Sequence, residues 1–192
     1  MSALFNRRTA VLAVLAATTV GACRKKPEPA PTPAPTPAVN EDSIRAAQAE
    51  RDRLAREQAD RDAKLAAARA SLVAPVYFDY DQADIRDDAR TALEGKLPIL
   101  TANAGLKIRV AGHTDQRGSD EYNIALGQRR AAAVKRFFTE RGVDGSRVDI
   151  VTFGEERPTC TQEDDSCYSQ NRRAEFEVIG GGESLTVPSG GQ

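Results

Sequence analysis

The stretch GHTDQRGSDEYNIALGQRRAAAV, residues 112–134, packs many hydrogen-bonding groups between an apolar run and a run of helical composition. It holds His113, the only histidine of the chain, together with Asp115 and Arg130. A histidine next to a carboxylate can bind a metal or move protons. Zinc, however, needs a cluster of Cys, His or carboxylate ligands, and no second His and no Cys lies in this stretch. Covalent catalysis needs an activated nucleophile, and neither serine nor cysteine is placed beside His113. No metal, no cofactor and no enzymatic activity are therefore expected. What remains is electrostatic. If the two charges stand side by side, Asp115 can hold an ammonium and Arg130 a carboxylate in bidentate fashion, so that the pair grips a zwitterion. The structural alternative is an Asp115–Arg130 ion pair that ties loop to helix, and spacing alone leaves both open.

The elements around the motif decide where these groups can point. Residues 120–141 read as a helix whose apolar stripe is set by Val134 and Phe137, with Phe138 alongside. Steps of three and four back along that stripe reach Arg130, Leu126 or Gly127, and Asn123, so Arg130 is in core register while Arg129 points away. A guanidinium there needs an acidic or carbonyl partner, because an unpaired buried charge costs several kcal/mol. Upstream, VYFDY is a short β-rich run, residues 84–103 carry Ile85, Ala89, Leu93, Leu97 and Leu100 on one helical stripe, and LKIRVAGHT is a second strand. Downstream, Gly142 stops the helix, RVDIVTFG makes a third strand and AEFEVIG a fourth. The order βαβαβ…β predicts an α/β fold, an α+β sandwich with helices on one face of a small mixed sheet.

The 192-residue chain has a formal charge of −1, with its Lys and Arg dispersed, so no basic face argues for nucleic acid. MSALFNRR is a basic leader, and the apolar run after it falls well short of the roughly 20 residues of a membrane span. Small residues, Val20-Gly21-Ala22, then precede Cys23, which resembles the lipobox of bacterial lipoproteins. The resemblance implies a signal peptide over 1–22, lipid attachment at Cys23, and, with Arg24 rather than aspartate following, an anchor in the outer membrane facing the periplasm. Residues 23–39 form the lipidated cysteine and a Pro/Ala/Thr-rich linker. Residues 40–73 read as a charged spacer helix with i,i+4 pairs Asp52/Arg56, Glu57/Arg61 and Asp60/Lys64. A heptad seam through Ile44, Ala47, Leu54, Leu65, Ala68 and Leu72 is interrupted by Arg51, Gln58 and Arg61, so a solvated helix is favoured over a coiled coil. Pro75 marks a boundary, the domain runs over 75–180, and 181–192 has the composition of a loose tail.

The opening motif, with VYFDYDQADI upstream and SQNRRAEFEV downstream, resembles the OmpA C-terminal-like domain family over roughly residues 75–179. Lipobox, stalk and single domain match the lipid-anchored members of that family better than its barrel or transmembrane members. The resemblance implies non-covalent binding of peptidoglycan, with Asp115 and Arg130 gripping the diaminopimelate of the stem peptide. Asn123 joins them as an orienting or contacting residue, and Asp81 and Thr114 as rim contacts. It implies a tether between outer membrane and wall, and engagement of TolB and through it the other Tol proteins in envelope integrity and division. A wall tether without Tol partners, and more remotely a wall-remodelling enzyme, are the alternatives. Cys160 and Cys167 flank TQEDDS where relatives carry an insertion before NRR. In an oxidising periplasm they are expected to pair, contributing about 2 to 3 kcal/mol.

Overall fold

The computed structural model describes residues 40–188, so the signal peptide, Cys23 and the linker over 23–39 expected from the sequence lie outside the described residues. Helix α1 spans Glu41–Val73 and opens on Asn40, whose side chain accepts from the Asp42 N–H. From Arg45 onward the chain forms one compact unit.

That unit runs β1 (Val76–Tyr77), α2 (Asp87–Ala102), β2 (Lys107–His113), α3 (Asp120–Thr139), β3 (Val148–Gly154), α4 (Asp165–Asn171) and β4 (Arg173–Gly180). The strands form one sheet in the order β1-β4-β2-β3, with β2 and β3 parallel and both other pairings antiparallel. The parallel pair requires a crossover, and α3 supplies it. This is the mixed sheet and α/β architecture expected. The sequence pattern did not reveal α4, a helix of seven residues in a polar stretch, nor that β1 is only two residues long.

The core follows from strand alternation. Ile108 and Val110 of β2 point to one face, where they join Leu93 and Leu100 of α2 and Val134, Phe137 and Phe138 of α3. Arg109 points to the other, where it reaches Asp149 of β3 at 3.0 Å and Glu177 of β4 at 3.3 Å, its cross-strand partners in register. One face of the sheet is thus covered by helices and the other is charged.

Two segments differ from the sequence reading. Helix α1 is solvent-exposed along most of its length, but Ala68 and Leu72 are buried in the domain core, so its last turns are no free spacer and packing crosses the boundary drawn at Pro75. Lys96 of α2, wholly buried, donates to the carbonyls of Ser71 and Ala74 at the end of α1. A cation among the unpaired carbonyls of a helix C-terminus satisfies acceptors the helix cannot, and complements its dipole. Burial pushes the Lys96 ammonium down to about 8. On the outer part of α1 the bridging cation is Arg53, bound to Glu50 and Glu57, rather than the pairs expected from spacing. The segment after β4, read as a loose tail, also packs as far as it is described. Leu185 and Val187 lie against the core, and Asn103 exchanges hydrogen bonds with both the N–H and the carbonyl of Thr186, at 2.7 and 2.9 Å. The two apolar side chains in an otherwise Gly- and Ser-rich stretch explain the difference.

Candidate functional site

Helix α3 lies against β2 through two glycines. A Cβ on Gly112 would fall 1.9 Å from the carbonyl oxygen of Gly127, and one on Gly127 would fall 2.4 Å from Thr152 Oγ1. No larger residue fits this contact. It brings the α3 face that carries Asn123, Gly127 and Arg130 over the end of β2, where the chain leaves the sheet as His113-Thr114-Asp115. The loop after β2 turns at Gly118, φ 120°, and Ser119 then caps α3 by accepting from the Tyr122 N–H.

Between these pieces lies a cavity of about 260 Å³ lined by Tyr80, Asp81, Thr114, Asp115, Arg117, Gly118, Tyr122, Asn123, Leu126, Arg130 and Arg172. All five residues singled out for the site, Asp81, Thr114, Asp115, Asn123 and Arg130, line it. Their bonding departs from the simplest expectation. Arg130 is fully buried and does not pair with Asp115. Its Nε donates to the carbonyl of Gln82 at 2.8 Å, and its two terminal nitrogens donate to those of His113 at 2.7 Å and Asp79 at 3.0 Å. The partners required by its core register are carbonyls, and the structural ion pair between the two residues is not formed. A planar fork with five N–H groups suits this task, since it can meet acceptors from the β1–α2 loop and from β2 at once. Burial pushes Arg130 down to about 10, partly offset by the nearby Asp115 carboxylate, so it stays charged at neutral pH.

Asp115 takes other cations. Its Oδ2 receives Arg117 at 2.7 Å and Arg172 at 3.2 Å, and its Oδ1 receives the Arg117 backbone N–H at 3.2 Å. Burial alone would raise this carboxyl. The Arg117 and Arg172 donors outweigh it and hold Asp115 below the usual carboxylate range. Arg117 itself lies between two aromatic rings, 4.0 Å from the centroid of Tyr80 and 4.5 Å from that of Tyr168. Asn123 donates to the Arg117 carbonyl and to Glu155, which orients the β2–α3 loop. Asp81 adopts φ 55° and accepts from the Tyr122 hydroxyl at the rim.

Arg117, Tyr80 and Arg172 line the site beyond the five residues read from the sequence. Arg117 had a signal, a cation two residues after Asp115 in a Gly-terminated turn. Tyr168 had none, because it reaches the site from α4. That helix is held by bonded Cys160 and Cys167, whose Cα atoms are 5.2 Å apart, and by Asn171, whose side chain bonds the backbone N–H groups of Thr159 and Cys160. His113 serves the site through its carbonyl. Its ring is buried on the far side of β2, 5.5 Å from the Phe153 ring. Among the described residues no group of His, Cys, Asp or Glu could hold a metal ion, and no helix is long and apolar enough to cross a membrane.

Comparison with known proteins bears on this geometry. The sequence model of the OmpA family matches residues 77–172, half of the chain, and these contain every residue lining the cavity. The chain belongs to the OmpA family. Its OmpA-family domain is similar to the peptidoglycan-associated lipoprotein of Mesorhizobium japonicum, 45% identical over 107 residues that cover 56% of this chain and 64% of the relative. It is also similar to the protein of that name from Haemophilus influenzae, 46% identical over 99 residues, covering 52% and 65%. The matched part thus spans less than two thirds of these relatives. The crystal structure of the peptidoglycan-associated lipoprotein from Burkholderia pseudomallei is 36% identical with a TM-score of 0.53, over 54% of this chain and 88% of that one. The C-terminal domain of Helicobacter pylori MotB, 20% identical with a TM-score of 0.51, shares the OmpA-family fold.

Proposed function

We propose that this chain binds peptidoglycan non-covalently through the cavity around Asp115 and, anchored by lipid at Cys23, tethers the outer membrane to the wall. The observation that carries the reading is the cavity itself, in which the Asp115 carboxylate and a set of guanidiniums face one small space. A free ammonium and a free carboxylate on one carbon, as at the second stereocentre of diaminopimelate, match that pairing of charges. The similarity to peptidoglycan-associated lipoproteins supports the same ligand. Asp115 and Arg130 are the principal residues of the site, Asn123 its orienting residue, and Asp81 and Thr114 its rim. The contact is held by hydrogen bonds and charge, so the tether can slip along the wall and re-form.

In this reading the chain is an outer-membrane lipoprotein facing the periplasm, a binding protein rather than an enzyme. TolB and through it the Tol complex are its protein partners, in keeping envelope layers together during division. Co-sedimentation of the full chain with purified sacculi tests the site. Asp115→Asn, which removes the charge that meets the ammonium, is expected to weaken binding by roughly tenfold or more. Sedimentation equal to the parent's, with the fold verified, removes the cavity as the site. Cys23→Ser is expected to leave the membrane fraction, and capture of TolB by the full chain tests the Tol assignment separately.

A further inference from the structure

The face of the sheet away from α2 and α3 is charged, and its charges are ordered along the strands. Strand alternation and register set its side chains in rows across β3, β2 and β4. In the first row Arg109 stands between its cross-strand neighbours Asp149 and Glu177 and bonds both. In the next, Ala111 lies between Val151 and Glu175. At the far end Arg173 bonds Glu175 at 2.7 Å, and the Arg157 guanidinium lies 3.6 Å from the centroid of the Phe153 ring.

Two carboxylates therefore share one guanidinium at one end of the face, and two guanidiniums share one carboxylate at the other. The unmatched cation is Arg157, an exposed residue whose guanidinium has no hydrogen-bond or ion-pair partner among the described residues. The surplus negative charge lies on Asp149 and Glu177, whose side chains are 50% and 65% exposed. Between the two ends is a hollow of about 510 Å³, with Ala111, Val151 and Phe153 among its lining residues. A parallel pair such as β2 and β3 ordinarily has both faces covered, and here only one is.

We propose that this face docks on the same face of a second copy of the chain, the two sheets being related by a two-fold axis that crosses the strands at Ala111. An isologous contact uses one patch twice, and a patch whose charge changes sign about its centre complements itself when the strands are reversed. The axis sets Arg157 of each copy opposite Asp149 of the other, and Glu177 toward the end that holds Arg173. An axis along the strands fails by the same charges, since it brings Asp149 onto Glu177 and Arg157 onto Arg173. Face-to-face sheets lie about 10 Å apart, and the hollow over the small Ala111 leaves room for the long rim side chains of the other copy. None of the residues that line this hollow lines the cavity around Asp115, so the docked pair keeps both cavities open.

The test is sedimentation equilibrium of the full chain carrying Cys23→Ser, which removes lipid attachment and stray disulfides at that position. A monomer–dimer equilibrium is expected at concentrations up to about 1 mM, the weak range of a small polar interface. Arg157→Glu, at an exposed position outside the core, sets like charges opposite each other twice per dimer and is expected to weaken dimerisation by roughly tenfold or more. Adding Asp149→Lys to that variant puts opposite charges back across the axis, and is expected to return the affinity to within about threefold of the parent. Urea midpoints verify the fold of each variant. A parent that stays monomeric over this range overturns the proposal. A dimer that Arg157→Glu leaves unchanged does so too, since its contact then lies elsewhere, as does a double variant no tighter than Arg157→Glu alone.

Discussion

Replacing Arg130 by methionine separates its role in the fold from any role toward ligand. Methionine fills similar length with no donor, so the carbonyls of Asp79, Gln82 and His113 each lose a partner in a buried setting. An unsatisfied buried acceptor costs about 1 to 3 kcal/mol, and relief of the desolvated charge returns part of the sum. A net loss of about 3 to 5 kcal/mol is expected. Against a total stability of about 5 to 15 kcal/mol this is large, and at about 2 to 4 °C per kcal/mol for a chain of this size it lowers the melting temperature by roughly 6 to 20 °C. Urea unfolding followed by circular dichroism reads it as a shifted midpoint at unchanged slope. Arg130→Lys, which keeps the charge and reaches fewer carbonyls, should lie between. A methionine variant within about 1 kcal/mol of the parent would refute the reasoning, since the fork would then be idle in the free protein. The prediction bears on function as well. Because Arg130 holds the β1–α2 loop to the end of β2, its loss is expected to weaken wall binding together with stability, whereas Asp115→Asn is expected to act mainly on binding.

Burial first, with help from the Arg173 and Arg157 charges and against that of Glu175, pushes the His113 imidazole down to about 4. The unfolded chain therefore takes up the proton first, so stability is complete above about pH 6.5 and is lost as pH falls toward 4, by about 2 kcal/mol between pH 7 and 5. His113→Leu should flatten that part of the profile, and an unchanged slope in urea midpoints would count against a buried neutral ring. Gly112→Ala is expected to cost at least about 2 kcal/mol and to reduce sacculus binding, because its methyl group meets the Gly127 carbonyl and drives α3 off β2; a neutral variant would show that the two elements separate freely. Thiol probes should label neither Cys160 nor Cys167 before reduction, and reduction should lower stability by about 2 to 3 kcal/mol. Loosening α4 in this way should also weaken binding, since its Tyr168 lies against Arg117 and Arg172 at its end lines the cavity.

What could be read from the sequence followed periodicity. The 3.6-residue stripe through Val134 and Phe137 placed Arg130 and Asn123 inward, and both are buried. Alternation in the strands gave β2, β3 and β4 close to their observed limits. Bonding partners were not legible, because they depend on which backbone atoms the fold brings near. Arg130 could have met a carboxylate or carbonyls, and only the course of the β1–α2 loop decides for carbonyls. Arg172 lies 57 residues from Asp115, and nothing local marks the contact. The same limit hid Lys96, whose place on α2 gives no sign that the end of another helix supplies its acceptors.

Lys96 also changes how the spacer helix relates to the site. An anchored tether carries load from its lipid end to its wall-binding end, and in the proposed reading that load arrives along α1. A helix joined to the domain by a flexible linker would pass tension only through the chain at Pro75. Here Ala68 and Leu72 are embedded in the core and Lys96 grips the last carbonyls of α1, so tension enters the hydrophobic core directly. From there it reaches the site through few steps. Lys96 lies over the Phe176 ring of β4, and β4 begins one residue after Arg172, which holds Asp115. The short strand β1, next in chain after α1, pairs with the start of β4 and leads into the loop whose carbonyls Arg130 collects. Helix α1 and the cavity are therefore joined by strand pairing and buried cations, and in the proposed reading this connection keeps the cavity walls in place under tension.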